Sequence, residues 1–322
     1  VLTQPTIRSS VYLSAGQRVS VLIKTKQTTE FNYYLHADMD PDMLDTLPDD
    51  LHPNITAPVY YDTLHGSFKR VAPITEDHYS KDDALIAPWK ETAVLIPDLQ
   101  INMTMDFMVN TDGLNHGVIN NIPYLPPLVP TLHTLLSTGD LANNTRVYGP
   151  QSQAYVFQLN QVIEIVLNNL DDGMHPFHLH GHVFQVIARG EGVYGNQTIH
   201  DPIYPTVRDT ITVPANGYLI LRFKADNPGV WFFHCHVDWH LPAGLAATFI
   251  TAPELVQQQT RLPSSFDHLC HDANMPSRGN AAGKEGLDLE GAPDGIRPVV
   301  KEKMFLAGWM ATLVGLSSIL WH

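Results

Sequence analysis

Apolar and polar residues alternate along most of the chain in short runs that end at turn residues, the pattern of half-buried strands. Val19-Ser20-Val21-Leu22-Ile23 follows the turn Ala15-Gly16-Gln17. Val156 to Leu159 and Val162 to Leu167 flank Asn160-Gln161 and read as a hairpin. Tyr218 to Phe223 follows Asn216-Gly217. Helical turns are expected only at Pro130 to Ser137 and Met43 to Leu47. There is no alternation of strand and helix patterns, which argues against a parallel α/β sheet. The reading is an all-β sandwich or barrel.

The same pattern divides the chain. Residues 1–75 are too few for a whole sandwich of about 100 residues and read as the rear part of a β domain. Residues 76–98 mix Pro, Asp, Lys and apolar positions without a period and are expected to link two domains. A further β domain is expected over 99–252. Residues 253–303 are polar and rich in Gly, Pro and Asp, as a stalk would be. Met304 to Trp321 is an uncharged apolar run after Lys301-Glu302-Lys303. A bilayer core takes about 20 such residues as helix, so 304–322 reads as a truncated transmembrane segment. A glycolipid-anchor signal around Gly291-Ala292 is a second option.

Composition narrows the function. Apolar residues make up 44% and charged residues 16% of the 322, as in a globular protein. The net charge of 19 − 33 = −14 argues against nucleic acid as a partner, because phosphate binding needs a basic surface. Two cysteines allow at most one bridge, so a disulfide scaffold is excluded. Asn54, Asn102, Asn143 and Asn196 each open an Asn-x-Thr sequon, which together with a terminal anchor favours a glycosylated cell-surface ectodomain.

The 17 histidines are the unusual component. Seven fall in two short segments, His175-Pro-Phe-His178-Leu-His180-Gly-His182 and His234-Cys235-His236-Val-Asp-Trp-His240. Both are set among apolar residues (Phe177, Val183, Phe184, Trp231, Phe232, Phe233), which places them in the core. Successive side chains of a strand point to opposite faces. An extended His234-Cys235-His236 therefore turns two imidazoles one way and the thiol the other. One strand can then serve two metal centres back to back. His175, Cys235 and His240 fit a His2Cys site, the arrangement that selects copper for electron transfer. His178, His180, His234 and His236 would collect on the opposite face as an all-imidazole site. Zinc is the rival metal, but only one cysteine takes part and there is no CxxC pair.

HPFHLHGH and HCHVDWHLPAGL resemble the two C-terminal copper signatures of the multicopper oxidases, and the resemblance extends over about residues 1–255. It implies cupredoxin-like Greek-key domains and four coppers per complete protein. It assigns His175, Cys235 and His240 to the type 1 copper, His178 to the type 2 copper, and His180, His234 and His236 to the binuclear type 3 pair. His182 matches a histidine that is not a ligand. Leu245 stands at the axial type 1 position, where leucine cannot coordinate; this implies a higher potential than an axial methionine gives. The family has three such domains, and the first supplies the other four cluster histidines in His-x-His motifs. None precedes residue 175, so the first domain and part of the second are expected to be absent from these 322 residues, which alone should not reduce oxygen.

Within the family the chain looks closest to the fungal membrane-anchored iron-transport ferroxidases. Asp171, four residues before His175, and Asp45 match acidic iron-site positions, with Asp40 a possible helper. The run from Phe223 to His234 and the apolar terminus agree. The function implied is oxidation of Fe(II) with reduction of O2 to water, at the plasma membrane with the catalytic domains outside and an iron permease as partner. The other reading is a laccase-like phenol oxidase. Cys270 has no assigned partner.

Overall fold

The computed structural model describes residues 2–7, 10–27, 30–41, 46–61, 70–71, 83, 86–195 and 197–293. Asp45, most of the turn expected at Met43 to Leu47, the first part of the expected linker, Asn196 and the apolar run 304–322 lie outside these. No helix among the described residues is long and apolar enough to cross a membrane.

Two compact units are present. One contains the described residues of Pro5–Leu13 and Arg18–Asp83. It carries a three-stranded sheet in the order β2-β1-β3, with β1 at Phe31–Asp38, β2 at Asn54–Val59 antiparallel to it and β3 at Arg70–Val71 parallel to it. Val19 to Ile23, expected as a strand, has no strand assignment, and Leu22 and Ile23 are exposed. An alternating run becomes a strand only where a neighbour accepts its ladder.

The other unit contains the described residues of Val1–Gln4, Ser14–Gln17 and Ala84–His322. It is a β-sandwich. Eleven strands follow in chain order: β4 Leu99–Val109, β5 Asn115–Ile119, β6 Ala154–Phe157, β7 Val162–Asn169, β8 His175–Leu179, β9 Phe184–Glu191, β10 Thr206–Arg208, β11 Thr210–Val213, β12 Gly217–Lys224, β13 Gly229–Cys235 and β14 Ala246–Thr251. They form a six-stranded sheet, β10-β9-β12-β7-β4-β5, and a five-stranded sheet, β11-β8-β13-β14-β6. The pairings β4–β7 and β14–β6 are parallel and the rest antiparallel. The helix expected at Pro130 to Ser137 is α1, Thr131–Ser137.

The hairpin expected around Asn160-Gln161 does not form. β6 pairs with β14, whereas β7 pairs with β12 and β4 in the other sheet. Asn160 takes a left-handed φ of 64°, and the Gln161 N–H donates to the Gln158 carbonyl at 3.2 Å. The turn is as tight as a hairpin's, but it carries the chain across the sandwich. Both strands have one face to bury, and the two inner faces of a sandwich accept them separately.

The inner faces meet in one core that includes Met103, Met105, Ile163, Ile165, Phe177, Leu219, Leu221, Phe233, Phe249 and Cys235. At its middle Phe249 stacks on Phe223 (centroids 5.7 Å, interplanar 2°) and on Phe233 (5.4 Å, 13°), and meets Phe157 edge-on at 5.2 Å. On the outside of the six-stranded sheet the Arg222 guanidinium donates to Glu164 at 2.6 Å, to Asp201 at 2.8 Å and to the Leu95 carbonyl at 3.0 Å. The Leu95 N–H donates to Gln185, whose amide donates to the Ala93 carbonyl. The described end of the expected linker is therefore fastened along the sheet.

The stretch read as a stalk is packed as far as it is described. It holds α2, Pro253–Gln259, and α3, Ser264–Asp272, with Val256 and Cys270 buried. Beyond them the buried Asn280 amide donates to the carbonyls of Gly286 and Asp288 and accepts from the N–H groups of Ala282 and Lys284. Ala281 joins the body through the carbonyl of Val147 and the N–H of Leu128. One side chain satisfying four backbone groups organises a polar loop that has no hydrophobic period to reveal it. The Cys270 thiol is free and lies 4.0 Å from both ring nitrogens of the buried His133.

Phe249→Ala is expected to lower stability by about 3–5 kcal/mol, since it opens a cavity among the rings of Phe157, Phe223 and Phe233. A denaturant melt of the variant against the wild type checks this.

Candidate metal centre

β13 builds the centre. Its partners are β14 on one side and β8 on the other, with Phe233 opposite Leu179, His234 opposite His178 and Cys235 opposite Phe177. Cys235 is thereby aligned with the inward residues and belongs to the core. His234 and His178 form a cross-strand pair on the outer face. The 240–245 loop then returns the chain so that His240 meets the thiol, held by Cys235 N–H to the Leu245 carbonyl (3.1 Å) and Leu245 N–H to the His240 carbonyl (3.0 Å).

On the core side, one ligand atom each from His175, Cys235 and His240 lie within 4.8 Å of one another. Cys235 Sγ is 3.4 Å from His240 Nδ1 and 3.8 Å from His175 Nδ1, and the two Nδ1 atoms are 3.3 Å apart. His175 and Cys235 are buried. The far nitrogen of His175, Nε2, bonds Asp171 at 2.8 Å. That contact puts the proton on Nε2 and leaves the Nδ1 lone pair facing the thiol, as for a metal-bound histidine held by an outer carboxylate. Asp171 also accepts from the Gly173 N–H at 3.0 Å.

On the outer face the rings of His178, His180, His234 and His236 are neighbours. Centroid distances are 4.9 Å for His178–His180, 5.8 Å for His178–His234, 5.7 Å for His178–His236, 5.1 Å for His180–His234 and 5.7 Å for His234–His236. His178 Nδ1 bonds the Asp209 carbonyl at 2.8 Å and the Thr210 hydroxyl at 2.9 Å, and His234 Nδ1 bonds the Cys235 carbonyl at 2.7 Å. Both rings therefore turn Nε2 into the cluster, where His180 Nε2 and His234 Nε2 approach to 3.0 Å. His182 stands apart: it bonds the His180 carbonyl at 3.1 Å and packs edge-on against Phe223 and Trp231.

Burial sets the charges. It pushes the Cys235 thiol up to about 12, with the charge of Asp171 adding to the effect. It pulls His234 and His240 down to about 4, and it lowers His180 as well. The hydrogen bond from His175 holds Asp171 below the usual carboxylate range, against the opposing effect of burial. Neutral imidazole is the form that binds metal, and a bound metal would displace the thiol proton.

The donor sets differ as copper sites require. One soft thiolate with two imidazoles suits a copper that exchanges electrons, and an imidazole face suits copper in a cluster. Of the residues expected in the sites, the structure brings together all seven donors in their two groups and sets Asp171 against His175. It also brings in groups that spacing could not indicate. Thr210 and the Asp209 carbonyl reach His178 through the β8–β11 pairing. Gly16, with φ 79°, lies so close to His236 that a Cβ there would sit 2.5 Å from the ring.

The family model for multicopper oxidases matches residues 124–255. The chain is 39% identical to an iron transport multicopper oxidase, FET5, of Saccharomyces cerevisiae, over 98% of this chain and 55% of that protein. It is 41% identical to the iron transport multicopper oxidase FET3 of Candida albicans, over 87% of this chain and 47% of that protein. In structure it is similar to Fet3p, a multicopper oxidase that functions in iron import, with a TM-score of 0.77, 34% identity, and coverage of 86% of this chain and 54% of that one. A laccase from Botrytis aclada shares the fold, with a TM-score of 0.54 and 24% identity over 68% of this chain and 40% of that one. The chain belongs to the multicopper oxidase family, and its fold is the mostly-β, cupredoxin-like one of that family. It spans about half the length of the curated relatives it matches. The cofactor of the family is copper, in type 1, type 2 and type 3 sites.

His234 and His240 have folded-state values near 4 against 6.5 when free, so on acidification the unfolded chain takes up protons first. The metal-free protein is therefore expected to lose stability through these two histidines as the pH falls from about 6.5 to about 4, and Asp171, held below the usual carboxylate range, continues the loss at lower pH. Melting temperatures of the apo protein across that range check this; an increase on acidification would contradict it.

Proposed function

We propose that the chain carries the electron-entry site of a copper ferroxidase that oxidises Fe(II) to Fe(III) and passes the electrons to O2, which is reduced to water. The observation that carries this reading is the 2.8 Å contact between Asp171 and His175 Nε2. A partly exposed carboxylate, held ionised, touches the back of a histidine whose other nitrogen faces Cys235. Copper bound by His175, Cys235 and His240 supplies a one-electron acceptor, and copper on the imidazole face supplies the place where O2 is reduced.

The residues supply the rest. Asp171 attracts the Fe(II) cation and binds the Fe(III) product more strongly, which lowers the potential of the iron couple and favours electron loss. Its contact with His175 provides a short bonded path inward. Cys235, flanked in the chain by His234 and His236, provides a covalent path from one face of β13 to the other. By the family resemblance Asp45 supplies a second iron carboxylate, His178 holds the type 2 copper, and His180, His234 and His236 serve the type 3 pair. The remaining cluster ligands would come from outside these 322 residues. We also infer a plasma-membrane setting, with the catalytic domains outside and an iron permease taking the Fe(III). This rests on the composition of 304–322 and on the resemblance.

The names of the relatives, which describe iron transport, support iron over phenols as the substrate. The laccase likeness is one of fold. Stopped-flow reduction of the blue copper band separates the two. Loss of a charged contact of about 1.5–3 kcal/mol should make Asp171→Ala at least about tenfold slower with Fe(II). Reduction by hydroquinone should be little changed, which controls for any disturbance of His175. Equal slowing with both reductants, or none with Fe(II), would remove Asp171 from the iron site.

A further inference from the structure

The His175–Cys235–His240 group has a polar edge at Asp171 and a second edge covered by an aromatic ring. There the ring of Phe107, on β4, lies 5.6 Å from that of His175 at 31° and 4.8 Å from that of His240 at 63°. Phe107 pairs with Gly117 across the β4–β5 ladder. Gly117 in turn is bonded to the histidine loop: its N–H donates to the Ala243 carbonyl at 3.1 Å, and the Tyr124 N–H beyond it donates to the Gly244 carbonyl at 2.8 Å. A Cβ on Gly117 would stand 2.8 Å from Leu245 Cβ and 3.3 Å from Phe107 Cε1. The absent side chain is thus what lets Leu245 and Phe107 close together. The hairpin is docked on the 240–245 loop, and Phe107 reaches the two imidazoles from it.

Two imidazoles and a thiolate leave a bound metal with open positions that water or a small anion can take, unless the surrounding groups exclude them. The apolar shell of a metal site governs that access. Neither Phe107 nor Leu245 offers a donor atom. We propose that Phe107 is a positioning and exclusion residue. Its ring braces His175 and His240 and keeps small ligands off the metal they hold with Cys235, so that the site exchanges electrons and not ligands. This rests on the copper reading of the three donors and is independent of whether iron or a phenol is oxidised.

The test is an azide titration of the copper-loaded protein, read by the blue thiolate-to-copper band and by electron paramagnetic resonance, for the wild type, Phe107→Ala and Phe107→Leu. The wild-type band should be indifferent to azide. Phe107→Ala should lose or shift its band, with azide binding at least about tenfold tighter, and Phe107→Leu should restore most of the protection. If Phe107→Ala does not fold, Phe107→Val carries the same expectation at smaller amplitude. Azide acting equally on the wild type and the truncated variants, or on none of them, overturns the proposal. A wild-type protein with no blue band at all would overturn the copper reading first and the proposal with it.

Discussion

The alternation of side chains along β13 is the constraint on which the rest of the molecule depends. His234 and Cys235 are neighbours in the chain, so they face opposite ways, and no rearrangement of loops can put them on one side. The thiol must then end among the core residues of the sandwich while the imidazoles stand on its outer surface. β8 repeats the arrangement in register, with His178 beside His234 and Phe177 beside Cys235. A shift of that pairing by one residue would turn His178 into the core and Phe177 out of it. The packing that stabilises the sandwich is therefore the same packing that sorts seven donors into two groups.

Sorting alone does not make a ligand. Each donor must also be unprotonated on the right nitrogen, and here burial and hydrogen bonding divide the work. Burial keeps His234 and His240 neutral. Hydrogen bonds then choose the nitrogen: the Cys235 carbonyl turns His234 Nε2 outward, Asp209 and Thr210 do the same for His178, and Asp171 frees the Nδ1 of His175. Two of these partners are backbone carbonyls, that of Cys235 in the same strand as His234 and that of Asp209 just before β11, which pairs with the strand of His178, so the backbone conformation also sets the tautomers.

This division explains what could be read from the residues in order. The grouping of the donors was legible because their spacing, one residue apart in His234-Cys235-His236 and His178-Leu-His180, is the strand period itself. The all-β class was legible for the same reason. The hairpin at Asn160-Gln161 was misread because a tight turn looks alike whether its strands pair or part; which they do depends on β14 and β12, far along the chain. The packed 253–293 region was misread because Asn280 organises it by satisfying backbone groups, which leaves no apolar pattern. Phe107 gave no signal at all. It is an apolar residue on a strand, and only the docking of β5 on the 240–245 loop makes it a neighbour of the histidines.

The two edges of the His2Cys site are unlike, and the difference bears on what such a site can do. At one edge an ionised carboxylate contacts His175 directly, so a cation can be brought within a hydrogen bond of a ligand without touching the metal. At the other, Phe107 and Leu245 present only carbon. Had the polar groups surrounded the site, water would reach it, and the metal would be free to change its ligands each time its charge changed. Had carbon surrounded it, a cationic donor would have no place to bind. On the proposed reading, one charged edge and one apolar edge would let electrons enter by a route that ligands cannot follow, and both edges are held by backbone structure: Asp171 by the turn leading into β8, Phe107 by the β4–β5 ladder. The asymmetry is thus a property of the sandwich and not of the loop that carries His240.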